Sequence, residues 1–377
     1  MIKFWKNIKE TRKNTVTPLD FPQKVLIAPL DWGLGHTTRC ISIIRYLQQK
    51  SCQIFIAANQ QQTVLLQQEL HDVTFLSLDG YNISYSRAGR NFAMSIASQI
   101  PGLLFSIHRE HRWLKKKQRE YGFNLIISDN RFGMYHSKIF SVFITHQLGI
   151  RSGISKKTDR LVNWWNHRWI QRFNECWVPD LHPPYSLAGE LSHPATMPAN
   201  VKYIGPLSRF QSGAGSSRDH LLVVISGPEP QRSIFEALIL SQIRHYQGKV
   251  VVIRGIPGSH ETIATSDNIT VYNHVPSSTF EQLLRGAGMV ICRSGYSSIM
   301  DLVLTGKKAI LIPTPGQTEQ EYLARHLHDR RIFYTVDQSK FDLEKNIEDV
   351  KHFPFESFTI PFDDFKKVID DLPKRIL

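Results

Sequence analysis

In APLDWGLGHTTRC, Ala28 to Cys40, a turn bracketed by Gly33 and Gly35 delivers His36 between an apolar run and a helical pattern. The preceding VLIAP reads as a short buried strand, and Cys40, Ile43, Ile44 and Leu47 recur at helical spacing. His36 then stands near a helix N-terminus beyond the carboxyl end of a strand, where open α/β sheets place their ligands. The positive end of a helix disfavours imidazolium, which suits a general base. A polar helix cap without chemistry fits the same position.

A second cluster runs through CRSGYSSIMDLVLTG, Cys292 to Gly306, and IPTPGQTEQEYLARHL, Ile312 to Leu327. Strand MVIC leads into RSGYSS, so the backbone N–H groups and hydroxyls of Ser294, Gly295, Ser297 and Ser298 at a helix start form an anion site, phosphate being the natural guest. Asp301, about two turns further on, is of the type that takes a ribose hydroxyl, or is a solvated helix carboxylate. Glu319 and Gln320 pair a carboxylate with an amide, the hydrogen-bonding groups that suit vicinal sugar hydroxyls.

The elements that must position these residues follow one pattern. After the first strand and helix come IFIAA, VTFLSL, a helical region around residues 91 to 120, LIISD and IFSVFIT. Strands separated by helical stretches argue a parallel sheet with crossover helices. LSRFQSGAGSSRDH, Leu207 to His220, is Gly- and Ser-rich without periodicity and reads as a linker. The alternation then restarts with LLVVIS, VVVIR, ITVY, MVIC, AILIP and IFYTV. The expected organisation is a basic extension over 1–21, an acceptor-binding Rossmann-like domain over 22–206, a linker over 207–220 and a donor-binding Rossmann-like domain over 221–377.

The second block resembles the donor signature of GT-B nucleotide-sugar glycosyltransferases, close to glycosyltransferase family 28. The residues that carry it are Arg293, Gly295, Tyr296, Ser298, Asp301, Gly306, Pro315, Glu319, Gln320 and Ala324. The resemblance implies an α/β fold of GT-B type, with two parallel sheets facing a cleft. It implies that Ser294 to Ser298 face a diphosphate, that Asp301 takes the ribose in place of the usual Glu, and that Glu319 and Gln320 hold the transferred sugar. SGPEPQR stands where such enzymes bind phosphate on a glycine-rich loop, which marks Gly227, with Arg232 or Arg293 supplying charge; His274 and Val275 stand where the base is received.

In the first domain the resemblance assigns His36 as the base that deprotonates the acceptor. Some relatives orient this histidine with an Asp at the end of a later strand, and Asp129 of LIISD is the candidate, its other reading being an Asx-turn. A carboxylate there would fix the tautomer and raise the basicity of the ring. Two departures stand out. The longer GGTGGH-like loop used by peptidoglycan members toward a lipid-diphosphate acceptor is missing, and Lys307-Lys308 replace the usual apolar-Pro pair.

The implied activity is transfer of a hexose or N-acetylhexosamine from a UDP-sugar to a glycan or lipid-linked acceptor, inverting and metal-independent, with no cofactor beyond the co-substrate. No DxD-like pair stands at a strand end, and no HExxH occurs. A UDP-sugar hydrolase and a non-catalytic nucleotide-sugar or glycan-binding component are the alternatives. A dehydrogenase is excluded by the missing third glycine of GLG and by AANQQQ where an acidic residue is needed.

A balance of 46 Lys+Arg against 33 Asp+Glu, net +13, points to an anionic partner. No nucleic-acid-binding motif is present, which leaves a phosphorylated substrate or a membrane surface. IKFWKNIKETRKN, HREHRWLKKKQRE and NWWNHRWIQRF mix aromatic and basic residues and are candidates for an anionic headgroup layer, although solvated faces and, for the last, core tryptophans are the plainer readings. Four scattered cysteines without a CxxC pair read as free thiols. With no signal-peptide pattern or membrane-length apolar run, the expected location is cytoplasmic, with peripheral contact at the inner membrane face.

Overall fold

The computed structural model describes residues 21–81, 92–210, 213, 219–259, 266–358 and 364–376, with side chains left aside over 92–100 and at 364. The basic extension up to residue 20 and half of the linker therefore lie outside the described residues.

The first domain runs β1 (Lys24–Pro29), α1 (Leu34–Gln49), β2 (Gln53–Ala58), α2 (Gln60–Gln67), β3 (Val73–Ser77), α3 (Phe92–Tyr121), β4 (Leu125–Asp129), β5 (Phe140–Ile144), α4 (Lys156–Ile170), β6 (Glu175–Val178) and β7 (Val201–Tyr203). The second runs β8 (His220–Val224), α5 (Gln231–Ile243), β9 (Val250–Ile253), β10 (Ile269–Tyr272), α6 (Ser277–Gly286), β11 (Ala287–Cys292), α7 (Tyr296–Leu304), β12 (Ala309–Leu311), α8 (Thr318–Asp329), β13 (Tyr334–Thr335) and α9 (Leu343–His352). Two further helices follow, α10 (Asp364–Asp370) and α11 (Pro373–Ile376).

Both sheets are parallel, in the orders β3-β2-β1-β4-β5-β6-β7 and β10-β9-β8-β11-β12-β13. Their central strands are continuous β-branched and aliphatic runs, as strands covered by helices on both faces require; Val25, Leu26, Ile27 and Ala28 have no exposure at all. Each sheet reverses its direction of growth once, between β1 and β4 and between β8 and β11. A crevice opens at such a switch point, outside the carboxyl ends of the two strands. The turns carrying His36, Gly227 and Ser294 all leave strands at these two reversals.

The last helices, inside the expected span 221–377, also touch the first domain: the Phe365 ring meets that of Tyr46 in α1 edge-on, centroids 6.0 Å apart, and Ile369 and Leu372 are buried. Tyr46 of α1 donates to Asp370 at 2.8 and 2.9 Å, and Lys50 pairs with the same carboxylate at 2.6 Å. An amphipathic helix announces that it will be covered, but not by which domain.

Candidate active site

Pro29 ends β1 directly beside Asp129, the last residue of β4, in the sheet register. Four residues later the chain turns at Gly33, whose φ of 78° is a left-handed value that costs glycine little, and α1 begins at Leu34. His36 thus falls in the first helical turn and reaches back to the end of β4. Its Nδ1 meets Asp129 Oδ1 at 2.8 Å. With Nδ1–H donated to the carboxylate, Nε2 carries the free lone pair.

Arg39, one turn further along α1 and only 2% exposed, shares that carboxylate. Its Nε donates to Asp129 Oδ2 at 2.5 Å and its Nη2 to Oδ1. Burial pushes the Asp129 carboxyl up, yet Arg39 and His36 together hold it well below the usual carboxylate range. For His36, burial is the largest influence and lowers the proton affinity; Asp129 opposes it, Arg39 reinforces it, and the net direction is down. The expected rise in basicity is therefore not found, because burial outweighs the pull of Asp129 and Arg39 adds to the fall.

The surrounding loop is wired by buried polar groups. Gln62 of α2 donates to the carbonyls of Pro29 and Leu30 at 3.2 and 3.1 Å and to Thr37 Oγ1 at 2.9 Å. Fully buried Arg131 donates to Pro29 O at 2.9 Å and pairs with Glu110 at 2.6 Å.

Across the cleft, β11 feeds the turn Arg293-Ser294-Gly295, and α7 starts at Tyr296. The first N–H groups of a helix have no partners within it, so this start offers donors of the kind an anion needs. The two domains meet here. Ser297 Oγ donates to Gly35 O at 3.1 Å, and a Cβ added at Gly35 would lie 2.9 Å from Ser297 Oγ. Gly35 is thus a point of close approach between domains rather than an acceptor-side element alone. Tyr296 donates to Pro179 O at 2.9 Å. Ser294 Oγ donates to Gln320 O at 2.8 Å, while Ser298 is half-buried on the first turn of α7.

Several expected donor contacts are already committed. Arg293 is 1% exposed and donates to the carbonyls of Ile312, Pro313 and Gln231 at 3.3, 3.2 and 3.2 Å, its guanidinium lying 4.1 Å from the Phe235 ring. It props the turn from behind. Arg232, in the first turn of α5 after the loop opened by Gly227 at φ 109°, pairs with Glu229 at 2.6 Å and Glu236 at 2.7 Å, so its charge is met at that helix start. The Gln320 amide accepts from Thr314 N at 2.9 Å and donates to Gln317 at 2.5 Å, closing its own turn rather than facing a sugar.

Glu319 does face the cleft, where its Oε1 meets His146 Nε2 at 2.7 Å and its Oε2 accepts from Gln147. Burial pushes Glu319 up, but His146, His36 and Arg39 carry the net direction below its ordinary value. Asp301 accepts from Ser208 Oγ at 2.5 Å, and burial raises it to about 6 against the opposing pull of Arg209. Val275 is buried and His274 partly so, the latter lowered by burial and by Arg209.

Sequence reasoning missed Arg39, His146 and Arg209. Arg39 stands three residues after His36, on the same helical face, and that spacing was the available signal. His146 follows the end of a buried strand. Arg209 lies 5.0 Å from both the Phe210 and Phe280 rings, and its buried Nε has no hydrogen-bond partner. Of the three tryptophans expected in core or interface, Trp164 and Trp165 are 52% and 53% exposed and meet each other edge-on, while Trp169 packs between Phe132 and the Arg172 guanidinium. All four cysteines are free and buried. Among the described residues no helix is long and apolar enough to cross a membrane, and no three His, Cys, Asp or Glu side chains gather as a metal would require.

Comparison with known proteins places this geometry. The profile of the glycosyltransferase family 28 C-terminal domain matches residues 223–360. A UDP-N-acetylglucosamine–N-acetylmuramyl-(pentapeptide) pyrophosphoryl-undecaprenol N-acetylglucosamine transferase from a Sulfurihydrogenibium species is 26% identical over 162 residues, 40% of this chain and 46% of that protein. The enzyme of the same name from Desulforudis audaxviator is 34% identical over 131 residues, 30% and 34% of the two chains. These matches span less than half the length of those relatives. Among solved structures, the spinosyn rhamnosyltransferase SpnG aligns with TM-score 0.60 at 17% identity, covering 94% of this chain and 96% of its own. Acinetobacter baumannii MurG aligns with TM-score 0.55 at 13% identity, covering 93% and 99%. The chain therefore has the two-sheet GT-B fold, and residues 223–360 of its second domain are similar to the glycosyltransferase family 28 C-terminal domain.

Proposed function

We propose that this chain is an inverting, metal-independent glycosyltransferase that moves a hexose or N-acetylhexosamine from a UDP-sugar to a glycan or lipid-linked acceptor. One observation carries the reading: the Ser297–Gly35 contact at 3.1 Å sets the anion-binding start of α7 against the residue preceding the base His36. A diphosphate at that helix start brings its sugar within reach of an acceptor held by His36.

In the proposed step His36 Nε2 takes the acceptor hydroxyl proton, and the oxygen bonds to the anomeric carbon from the face opposite the diphosphate. The bond from that carbon to the diphosphate oxygen breaks, and the leaving charge is met by the N–H groups of α7. With Arg232 and Arg293 committed elsewhere, Arg209 is the cation we assign to the donor side, beside Asp301 for the ribose and Glu319 for the sugar. The relatives named above carry transferase names, which favours transfer over hydrolysis.

The test is thermal stabilisation of the full chain by UDP-, GDP-, TDP- and CMP-sugars without added metal, followed by nucleoside diphosphate release with candidate acceptors. A UDP-sugar should stabilise both the wild type and His36→Ala, whereas transfer by the variant falls about 10²–10⁴-fold. Stabilisation by no nucleotide sugar, or full transfer by His36→Ala, overturns the assignment.

The membrane is part of this proposal. Helix α4 follows the loop bearing His146 and Gln147, and exposes Leu161, Trp164 and Trp165 beside Lys156, Lys157 and Arg160. Amphipathic tryptophans with flanking cations fit an anionic headgroup layer at the cytoplasmic face. Co-sedimentation with anionic vesicles should be lost in Trp164→Ser/Trp165→Ser; equal binding by that variant removes α4 from the proposal.

A further inference from the structure

Asp129 receives more donors than an orienting carboxylate needs. His36 Nδ1 meets Oδ1 at 2.8 Å, Arg39 Nε donates to Oδ2 at 2.5 Å, Arg39 Nη2 donates to Oδ1, and Cys40 Sγ lies 3.6 Å from Oδ2. Asp129 has no exposure, and the Arg39 side chain has 2%. The pairing is a planar two-pronged grip, which fixes the carboxylate's rotation as well as its charge. Since α1 carries both His36 and Arg39, one turn apart, a single helix presents a cation and an imidazole to the same buried anion.

We propose that Arg39 is a positioning residue for the base: it locks Asp129 so that Oδ1 points at His36 Nδ1, and it shares that carboxylate's charge so that the ring is oriented without being held protonated. A histidine facing an undivided buried carboxylate gains proton affinity, and at neutral pH such a base is already occupied. Dividing the anion keeps the orientation and offsets part of that gain, in the same direction as the larger effect of burial. The groups facing the ring are Asp129 from β4, Arg39 from α1, His146 after β5 and Glu319 from α8. Glu319 is held by His146 and Gln147, and Arg39 is the cation joined to Asp129 itself.

This inference rests on His36 serving as the base, but its test reads the imidazole directly. Nitrogen NMR of the labelled full chain gives the tautomer and titration midpoint of His36 in the wild type, Arg39→Gln and Arg39→Lys. At pH 7 the wild-type ring should be neutral, protonated on Nδ1 and bare on Nε2. Arg39→Gln should raise the midpoint by roughly one to three pH units, with Arg39→Lys, which keeps charge but not the grip, rising less. In transfer assays the acidic limb of the rate profile should move by the same interval, so that raising the pH restores the variant. An unmoved or lowered midpoint in folded Arg39→Gln overturns the proposal. Should that variant fail to fold, a wild-type ring charged at pH 7, or neutral with its proton on Nε2, overturns it equally. Absence of any nucleotide-sugar turnover would count against the proposed function while leaving the midpoint measurement decisive here.

Discussion

The two faces of the cleft solve opposite problems. On the first, side chains do the orienting: His36, Asp129 and Arg39 form a buried chain of charge, and Gln62 and Arg131 fasten the loop beneath it. On the second, arginines that lie near the expected phosphate are turned inward, Arg232 onto Glu229 and Glu236 and Arg293 onto three carbonyls. The proposed donor side draws instead on backbone N–H groups at the start of α7, with Arg209 beside them. A proton acceptor must have one tautomer and one direction, which needs neighbouring side chains. A diphosphate needs several aligned donors of modest strength, which a helix start supplies without a buried charge.

The largest break in this contrast is expected from Asp129→Asn. Removing the carboxylate leaves Arg39 buried without its anion, and loss of one partner of such a pair costs about 3–5 kcal/mol. Denaturant unfolding checks this, and a loss near zero would mean that the buried charge chain is not what holds the first face. In acid the same group gives the sign: its folded proton affinity is depressed, so the stability it contributes is present above the ordinary carboxylate range and is lost as pH falls through its folded midpoint.

Gly35→Ala comes next and tests whether the faces are fitted to each other. The new Cβ would lie 2.9 Å from Ser297 Oγ and 3.2 Å from its Cβ, so the Ser297 side chain must give way and its bond to Gly35 O is disturbed. Unfolding of Gly35→Ala, Ser297→Ala and the double variant should reveal a coupling of about 1 kcal/mol. Additive effects would mean the approach is slack.

The smallest effect sharpens the second face. Asp301, raised by burial to about 6, adds stability to the folded chain below its ordinary 3.8, and this is lost as pH rises through about 6, where ligand binding gains an ionised acceptor. UDP-sugar affinity should weaken roughly tenfold one pH unit below that point, and Asp301→Asn should flatten the dependence. A pH-independent affinity in the wild type separates Asp301 from the ribose.

Much of the scaffold was legible because buried parallel strands write themselves as unbroken aliphatic runs, as VLIAP, LIISD and MVIC do. IFYTV promised more than it delivered: only Tyr334–Thr335 pairs, at the edge of its sheet, where few ladder bonds are available. The His36–Asp129 pair was reachable because both close adjacent strand ends. What the residues could not disclose was prior commitment. The arginines were read as free charges, although Glu229, Arg232 and Glu236 stand at three- and four-residue spacing, which on a helix start pairs them. Contacts between domains, such as His146 with Glu319, leave no local periodicity at all.

The return of α10 to the first domain has a consequence for how the halves can move. The polypeptide passes between the two sheets twice, once between Tyr203 and His220 and again before Asp364, and the second passage is pinned by Asp370 on Tyr46 and Lys50. A body tethered at one point can swivel in any direction, whereas a door hung at two points turns about the line joining them. Rotation about that line is the motion such a double tether allows, and the Ser297–Gly35 contact marks where the two halves meet.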